Sequence, residues 1–135
     1  MANYYASART SYFLPKDASA FEDWADGLPD TSYNSYEKDG SKLYALFFDG
    51  GDCAGIPNYT YDEDQDDYIE FDIYAEIQDH LADGWSVSFM EAGAEKLRYI
   101  NCYAVLVTQD DIKSLNLDGW IAEQVKAAGV EYSCM

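Results

Sequence analysis

Hydrophobic and polar positions divide the chain into two successive blocks of short elements. From Asn3 to Leu14, aromatic and small polar residues mix in a strand-like way, and Pro15 ends the run. Asp17 is a good N-cap for a short helix in which Ala20, Phe21, Trp24 and Ala25 recur at helical spacing. Gly27 and Pro29 stop it. Thr31 to Glu37 then alternates, with Tyr33 on one face and Asn34 and Tyr36 on the other. Lys38-Asp39-Gly40-Ser41 carries the Asp-Gly signal of a tight hairpin, and Leu43 to Phe48 reads as a well-buried strand. Asp49-Gly50-Gly51 breaks the regular structure. Residues 51–70 hold Gly55, Pro57 and many acids, and read as a long acidic surface loop.

The second block resembles the first in outline. Asp72 can cap a helix with an apolar stripe of Ile73, Ile77 and Leu81, and Gly84 stands where a C-terminal cap belongs. Trp85 to Met90 alternates as a strand, Ala92-Gly93-Ala94 can turn, and Leu97 to Thr108 is the strongest strand candidate. A last helix is expected near Asp118, with Ile121, Val125 and Ala128 on its buried side and Gly129 at its end. The order β-α-β-β then α-β-β-α predicts one α+β domain over residues 1–135. It implies an antiparallel sheet of about five strands with two to three helices packed on one face.

Charge changes the picture more than length does. The 135 residues include 26 Asp and Glu against 8 Lys and Arg, a formal net charge of −18, together with 13 Tyr, 6 Phe and 3 Trp. A disordered acidic tail would lack such an aromatic share, so the charge rides on a folded body. A surface this negative repels nucleic acid and anionic membrane and attracts basic proteins. Direct binding to DNA, RNA or membrane is not expected, whereas a basic nucleic-acid-binding protein is a natural partner. Acidity that serves only solubility is the plain alternative, and composition leaves a homodimer open. The three cysteines Cys53, Cys102 and Cys134 form no disulfide scaffold or metal-ligand spacing. Their odd number and the absence of an N-terminal signal segment point to a reducing cytoplasm.

The densest feature is the run from Asp62 to Asp72, containing Asp62, Glu63, Asp64, Asp66, Asp67 and Glu70. Asp62, Asp64 and Asp66 have the alternate spacing that opens a helix-loop-helix calcium site. The template then fails: its sixth position, where glycine turns the chain, is Asp67, and its twelfth, where a bidentate Glu belongs, is Ile73. No metal or other cofactor is therefore expected, and a metal-responsive loop is the third-ranked reading. Acids at alternate positions of an extended segment stand about 7 Å apart, near the spacing of phosphates along a strand. Glu22, Asp23, Asp26, Asp30, Asp79 and Asp83 could widen such a patch. Tyr59, Tyr61, Tyr68 and Tyr74 flank the run, and tyrosine is a common interface residue. The expected partner-binding set is Tyr61, Asp62, Glu63, Asp64, Asp66, Asp67, Tyr68 and Glu70. For any single tyrosine, packing within the fold is the simpler reading.

Chemistry has little support. His80, the only histidine, reads as a helix residue with Glu76 and Asp79 beside it. No nucleophile elbow and no phosphate-binding glycine loop occurs. Cys53 lies among acids that would disfavour its thiolate. No catalytic residue is expected. The segment from Met90 to Tyr99 holds Lys96 and Arg98 and reads as a turn and strand, with Arg98 pairing to a carboxylate.

Two segments, Met1 to Thr10 and Met90 to Ile100, resemble small uncharacterised proteins of phages, plasmids and their bacterial hosts. The resemblance supplies no catalytic residues. It implies a mobile-element setting in a bacterial cytoplasm, where small acidic proteins inhibit CRISPR effectors or restriction enzymes. The expectation is thus an anti-CRISPR or antirestriction type of inhibitor that blocks a basic DNA- or RNA-binding site as an acidic mimic. The alternative is an accessory or scaffolding protein that binds its partner through aromatic surface.

Overall fold

The first element is a strand, β1 (Tyr5–Thr10), followed by helix α1 (Ala18–Asp26). In this computed structural model residues 5–48, 55–95 and 99–133 are described, apart from the side chains of Tyr61 and Tyr99. Asp17 caps α1 as its sequence position suggests, its carboxylate accepting from the Ser19 and Ala20 amides at 3.0 and 3.3 Å. Strands β2 (Thr31–Lys38) and β3 (Ser41–Phe48) follow as a hairpin. Asp39 (φ 53°) and Gly40 (φ 82°) both adopt the left-handed conformation that a two-residue hairpin turn requires.

Residues 59–70, expected as loop, form a second hairpin of β4 (Tyr59–Asp62) and β5 (Asp67–Glu70). Its acids hide a strand alternation in which Tyr59, Tyr61, Tyr68 and Ile69 supply β-forming side chains. Asp66 (φ 50°) closes the turn, a conformation that aspartate tolerates better than most residues. Positions 49–54, which include Cys53 and the Gly50-Gly51 break, lie outside the described residues.

Helix α2 (Ile73–Gln78) is capped by Asp72 and buries Ile73 and Ile77. It is shorter than the apolar stripe suggests. Leu81 lies beyond it, buried, in an isolated bridge to Pro15. Gly84 (φ 79°) turns the chain after that bridge rather than capping the helix. Strand β6 (Val87–Glu95) then runs straight through Ala92-Gly93-Ala94, which was expected to turn. These small residues pair with β1 on one side and with β7 (Tyr99–Val107) on the other. Residues 96–98, with Lys96 and Arg98, lie outside the described set.

Two further elements complete the fold: β8 (Ile112–Asn116) and helix α3 (Leu117–Ala128). Strand β8 was not anticipated, and every one of its residues is exposed. The result is a six-stranded antiparallel sheet in the order β2-β3-β1-β6-β7-β8, with the β4–β5 hairpin as a separate small sheet. Helices α1 and α2 cover the inner face, over Tyr44, Leu46, Phe48, Val87, Phe89, Val105 and Val107. Phe21 of α1 is the hub, with Phe13, Tyr44 and Trp24 at ring-centroid distances of 5.2, 5.0 and 5.8 Å. Helix α3 departs from expectation, because none of its residues is fully buried. Ile121 and Val125 are half-buried and Ala128 is exposed. Its Leu117 and Trp120 flank the opposite, outer face of the sheet, beside Cys102, Ala104 and Leu115.

Candidate functional site

The β4–β5 pairing decides how the acidic run is presented. Asp62 stands directly opposite Asp67, and Tyr61 opposite Tyr68, with Glu63 to Asp66 forming the turn between them. Cross-strand neighbours of like charge destabilise a hairpin. The folded-back geometry also corrects the expectation of an extended ladder: Asp62, Asp64 and Asp66 do not lie along one strand. Instead the acids are concentrated at a tip. Backbone amides shape that tip, since Asp62 accepts from the Asp64 N–H at 2.9 Å and Asp67 from the Tyr68 N–H at 2.7 Å. Asp62 is half-buried, while Glu63, Asp64, Asp66, Asp67 and Glu70 are exposed. Tyr68 is 69% exposed and Tyr59 51% exposed, so both rings face water. Among the described residues, no three His, Cys, Asp or Glu side chains converge as a metal-binding group.

A second carboxylate centre lies behind the hairpin. Glu91 projects from the middle of β6 onto the inner face, in the cross-strand row Ala8, Glu91, Tyr103, Asn116. It is only 7% exposed. Its Oε1 accepts from the Ile56 amide at 2.8 Å and from the Tyr103 hydroxyl at 3.1 Å, and its Oε2 accepts from Asn101 at 3.4 Å. A buried carboxylate needs such donors, because desolvation without them is very costly. Gly55 permits the approach of this loop, since a Cβ there would stand 2.8 Å from Glu91 Oε1. Burial pushes the Tyr103 phenol well above its ordinary range, with Tyr74 and Glu91 adding to the effect. Burial likewise raises Tyr74.

Between this knot, the hairpin and α2 opens a cleft of about 550 Å³. Ile56, Asn58, Glu70, Asp72, Tyr74 and Tyr103 are among its walls. The cleft therefore combines two carboxylates with aromatic rings at the base of the hairpin, where Glu70 pairs with Tyr59, at the opposite end from the Asp62–Asp67 tip. Its chemistry suits a cationic side chain, which gains from both charge and ring faces.

Several other acids and tyrosines singled out from the sequence are already engaged within the fold. Glu22 accepts from the Tyr44 hydroxyl at 2.8 Å and from Tyr33 at 3.4 Å, so it anchors α1 to the sheet rather than widening a patch. Glu76 accepts from the Trp24 indole at 2.9 Å. Asp83 accepts from Gln109 at 2.6 Å. Asp23, Asp26, Asp30 and Asp79 are exposed. Tyr74 packs edge-on against Phe89 at 4.9 Å, the internal role that was the simpler reading. His80 lies against Trp24 at 5.0 Å, and burial holds its pKa below the usual histidine value. Of the cysteines, Cys102 is exposed and free, and Cys53 and Cys134 lie outside the described residues.

The Glu91 centre escaped the sequence reading, although a signal was present. Val87, Phe89 and Glu91 occupy successive inward positions of one alternating strand. An acid at an inward position is the mark of a satisfied buried carboxylate. Treating Ala92 to Ala94 as a turn hid that register.

No protein-family model, curated protein or solved structure matches the chain. Among the described residues, no helix is long and apolar enough to cross a membrane.

Proposed function

We propose that this protein is a non-enzymatic inhibitor that docks its acidic β4–β5 hairpin onto a basic nucleic-acid-binding surface of another protein. The observation that carries this reading is the Asp62–Asp67 pair, two like charges opposed across a hairpin whose tip adds Glu63, Asp64 and Asp66. Folding alone would favour an opposite charge at either position. A basic groove adds opposite charge to a pair for which the fold supplies backbone amide donors. The cleft at the base of the same hairpin, with Glu70, Asp72 and Tyr74, accepts one arginine or lysine side chain from that partner.

In this mechanism no bond is made or broken. The hairpin occupies the site by charge and excludes DNA or RNA by volume, acting as an acidic mimic of nucleic acid. The resemblance of Met1 to Thr10 and Met90 to Ile100 to proteins of phages and plasmids supports a host-defence nuclease or CRISPR effector as the partner class. The bacterial cytoplasm is the corresponding compartment.

The test is competition. Candidate CRISPR effectors and restriction enzymes are titrated with the protein in a DNA-binding assay at low and high salt. Displacement of DNA should be strong at low salt and fall steeply at high salt. It should also fall when Asp62, Asp64, Asp66 and Asp67 are replaced together by Asn. An affinity indifferent to salt and to those four substitutions would overturn the mechanism in favour of aromatic or apolar docking.

A further inference from the structure

Acidity stops at the outer face of the six-stranded sheet. Side chains alternate along a strand, and the pairing registers align them across strands. The outward positions are therefore odd-numbered in β1, β3 and β8 and even-numbered in β2, β6 and β7. One such row runs Ser32, Phe47, Arg9, Met90, Ala104, Leu115. Across all six strands these positions hold Arg9, Lys38 and Lys113 but no Asp or Glu. In a chain with 26 acids, that is a marked segregation.

The two halves of this face differ. Over β2 and β3 the chain covers itself: Tyr12 and Tyr36 meet edge-on at 4.8 Å, and the Arg9 guanidinium lies 4.7 Å from the Phe47 ring. Leu43 and Ala45 are buried as a result. Over β6, β7 and β8 the apolar side chains are open. Met90 is 56% exposed, Ile100 57% and Leu115 56%, and α3 adds Trp120 at 48% along the border. An apolar depression of about 440 Å³ runs past Phe47, Met90, Ala92, Cys102 and Ala104. It continues at Cys102 and Ala104 into a smaller one of about 180 Å³ beside Leu115, Leu117 and Trp120.

We propose that this open half-face is a homodimer interface, its occupant a second copy of the same chain. Charge is the first argument. Copies carrying −18 each repel unless their acids are kept apart. Packing outer face on outer face brings together strand surfaces free of acid, with Asp118 and Glu123 of α3 at the border, and turns both hairpins and both pairs of inner helices outward. Shape is the second. A twofold interface must be self-complementary, and here one face carries both the exposed ring of Trp120 and a hollow at Ala92, Cys102 and Ala104. Size is the third. Three strands spaced by about 4.8 Å present on the order of 400 Å² of sheet, and α3 extends this toward the roughly 800 Å² per partner of a stable interface. A basic partner is drawn instead to the acidic side, so the dimer does not rest on the inhibitor reading.

Light-scattering mass measurement on the full chain tests it, at about 100 µM in reducing buffer so that no disulfide supplies the mass. The expected result is about 30 kDa, twice the 15.2 kDa of one chain. Dimerisation should tighten by about tenfold from low to high salt as self-repulsion is screened, opposite in sign to binding of a basic partner. Leu115→Glu and, independently, Trp120→Ala should restore the single-chain mass with an unchanged circular dichroism spectrum. Leu115 is more than half exposed, so a glutamate there leaves the inner core untouched. A mass of 15.2 kDa at both salts would end the proposal. A dimer that survives both substitutions would end it as well.

Discussion

Glu91 and the Asp62–Asp67 pair place the same functional group in opposite circumstances. Glu91 is nearly buried and receives hydrogen bonds from Ile56, Tyr103 and Asn101, which come from a loop and from the neighbouring strand. Asp62 and Asp67 face each other across the tip of a small hairpin and accept from the backbone amides of Asp64 and Tyr68. The first arrangement stabilises the fold and leaves little capacity for a ligand. The second opposes folding locally and leaves charge directed at solvent. In a chain this acidic, then, the useful distinction is between carboxylates the fold has consumed and those it has left over. Glu22 and Glu76, bonded to Tyr44 and Trp24, belong with Glu91.

The largest effect that would break this contrast is expected at Glu91. Glu91→Ala strands the Ile56 amide and the Tyr103 hydroxyl in a half-closed interior, and should cost about 3 kcal/mol. For a chain of this size that lowers the thermal midpoint by roughly 10 °C. Glu91→Gln, which keeps one acceptor, should lose roughly half as much. Urea denaturation monitored by circular dichroism measures both. Equal stability of wild type and Glu91→Ala would place Glu91 with the uncommitted acids.

A smaller loss is expected from Tyr103→Phe, about 1–2 kcal/mol, because it removes one donor to Glu91 while keeping the ring. This variant also has a pH signature. Burial raises the Tyr103 and Tyr74 phenols above the ordinary value of 10.0 in the folded chain. The folded state then holds protons that the unfolded state has released. Their contribution is complete below pH 10 and is lost as pH rises through the folded values. Wild-type stability should accordingly decline above pH 10, and Tyr103→Phe should decline less steeply. Parallel alkaline limbs in the two proteins would deny the phenol its buried setting.

Much of this contrast was legible in the sequence, and the exceptions have physical reasons. The two N-caps Asp17 and Asp72 and the Asp39-Gly40 turn are local chemistry, and each stands where its residue type suggested. Strand β8 was not legible, because all five of its residues are exposed and it is specified by pairing with β7 rather than by a buried face. The β4–β5 hairpin was obscured by its own acids, which imitate loop composition. Glu91 was missed because Ala92, Gly93 and Ala94 look like a turn until β1 and β7 pair on either side. The acid-free outer face is likewise a property of register. Its residues are scattered over six segments, and only strand pairing assembles them.

The smallest effect lies at the hairpin, and its sign carries the argument. Asp67→Asn keeps an oxygen to accept from the Tyr68 amide and removes the like charge opposite Asp62. Relief of that repulsion should raise the thermal midpoint by about 1–2 °C at low salt, and by less at high salt, where screening already weakens it. Most of the gain should be local, appearing as slower hydrogen exchange at the paired residues Thr60 and Ile69. If the hairpin docks as proposed, the same substitution should weaken displacement of DNA from a basic partner, because it removes one charge from the tip. A change that strengthens the fold while weakening binding is what a strained functional hairpin predicts. If Asp67→Asn destabilised the hairpin instead, the charge at this tip would have to be counted as structural, alongside Glu91.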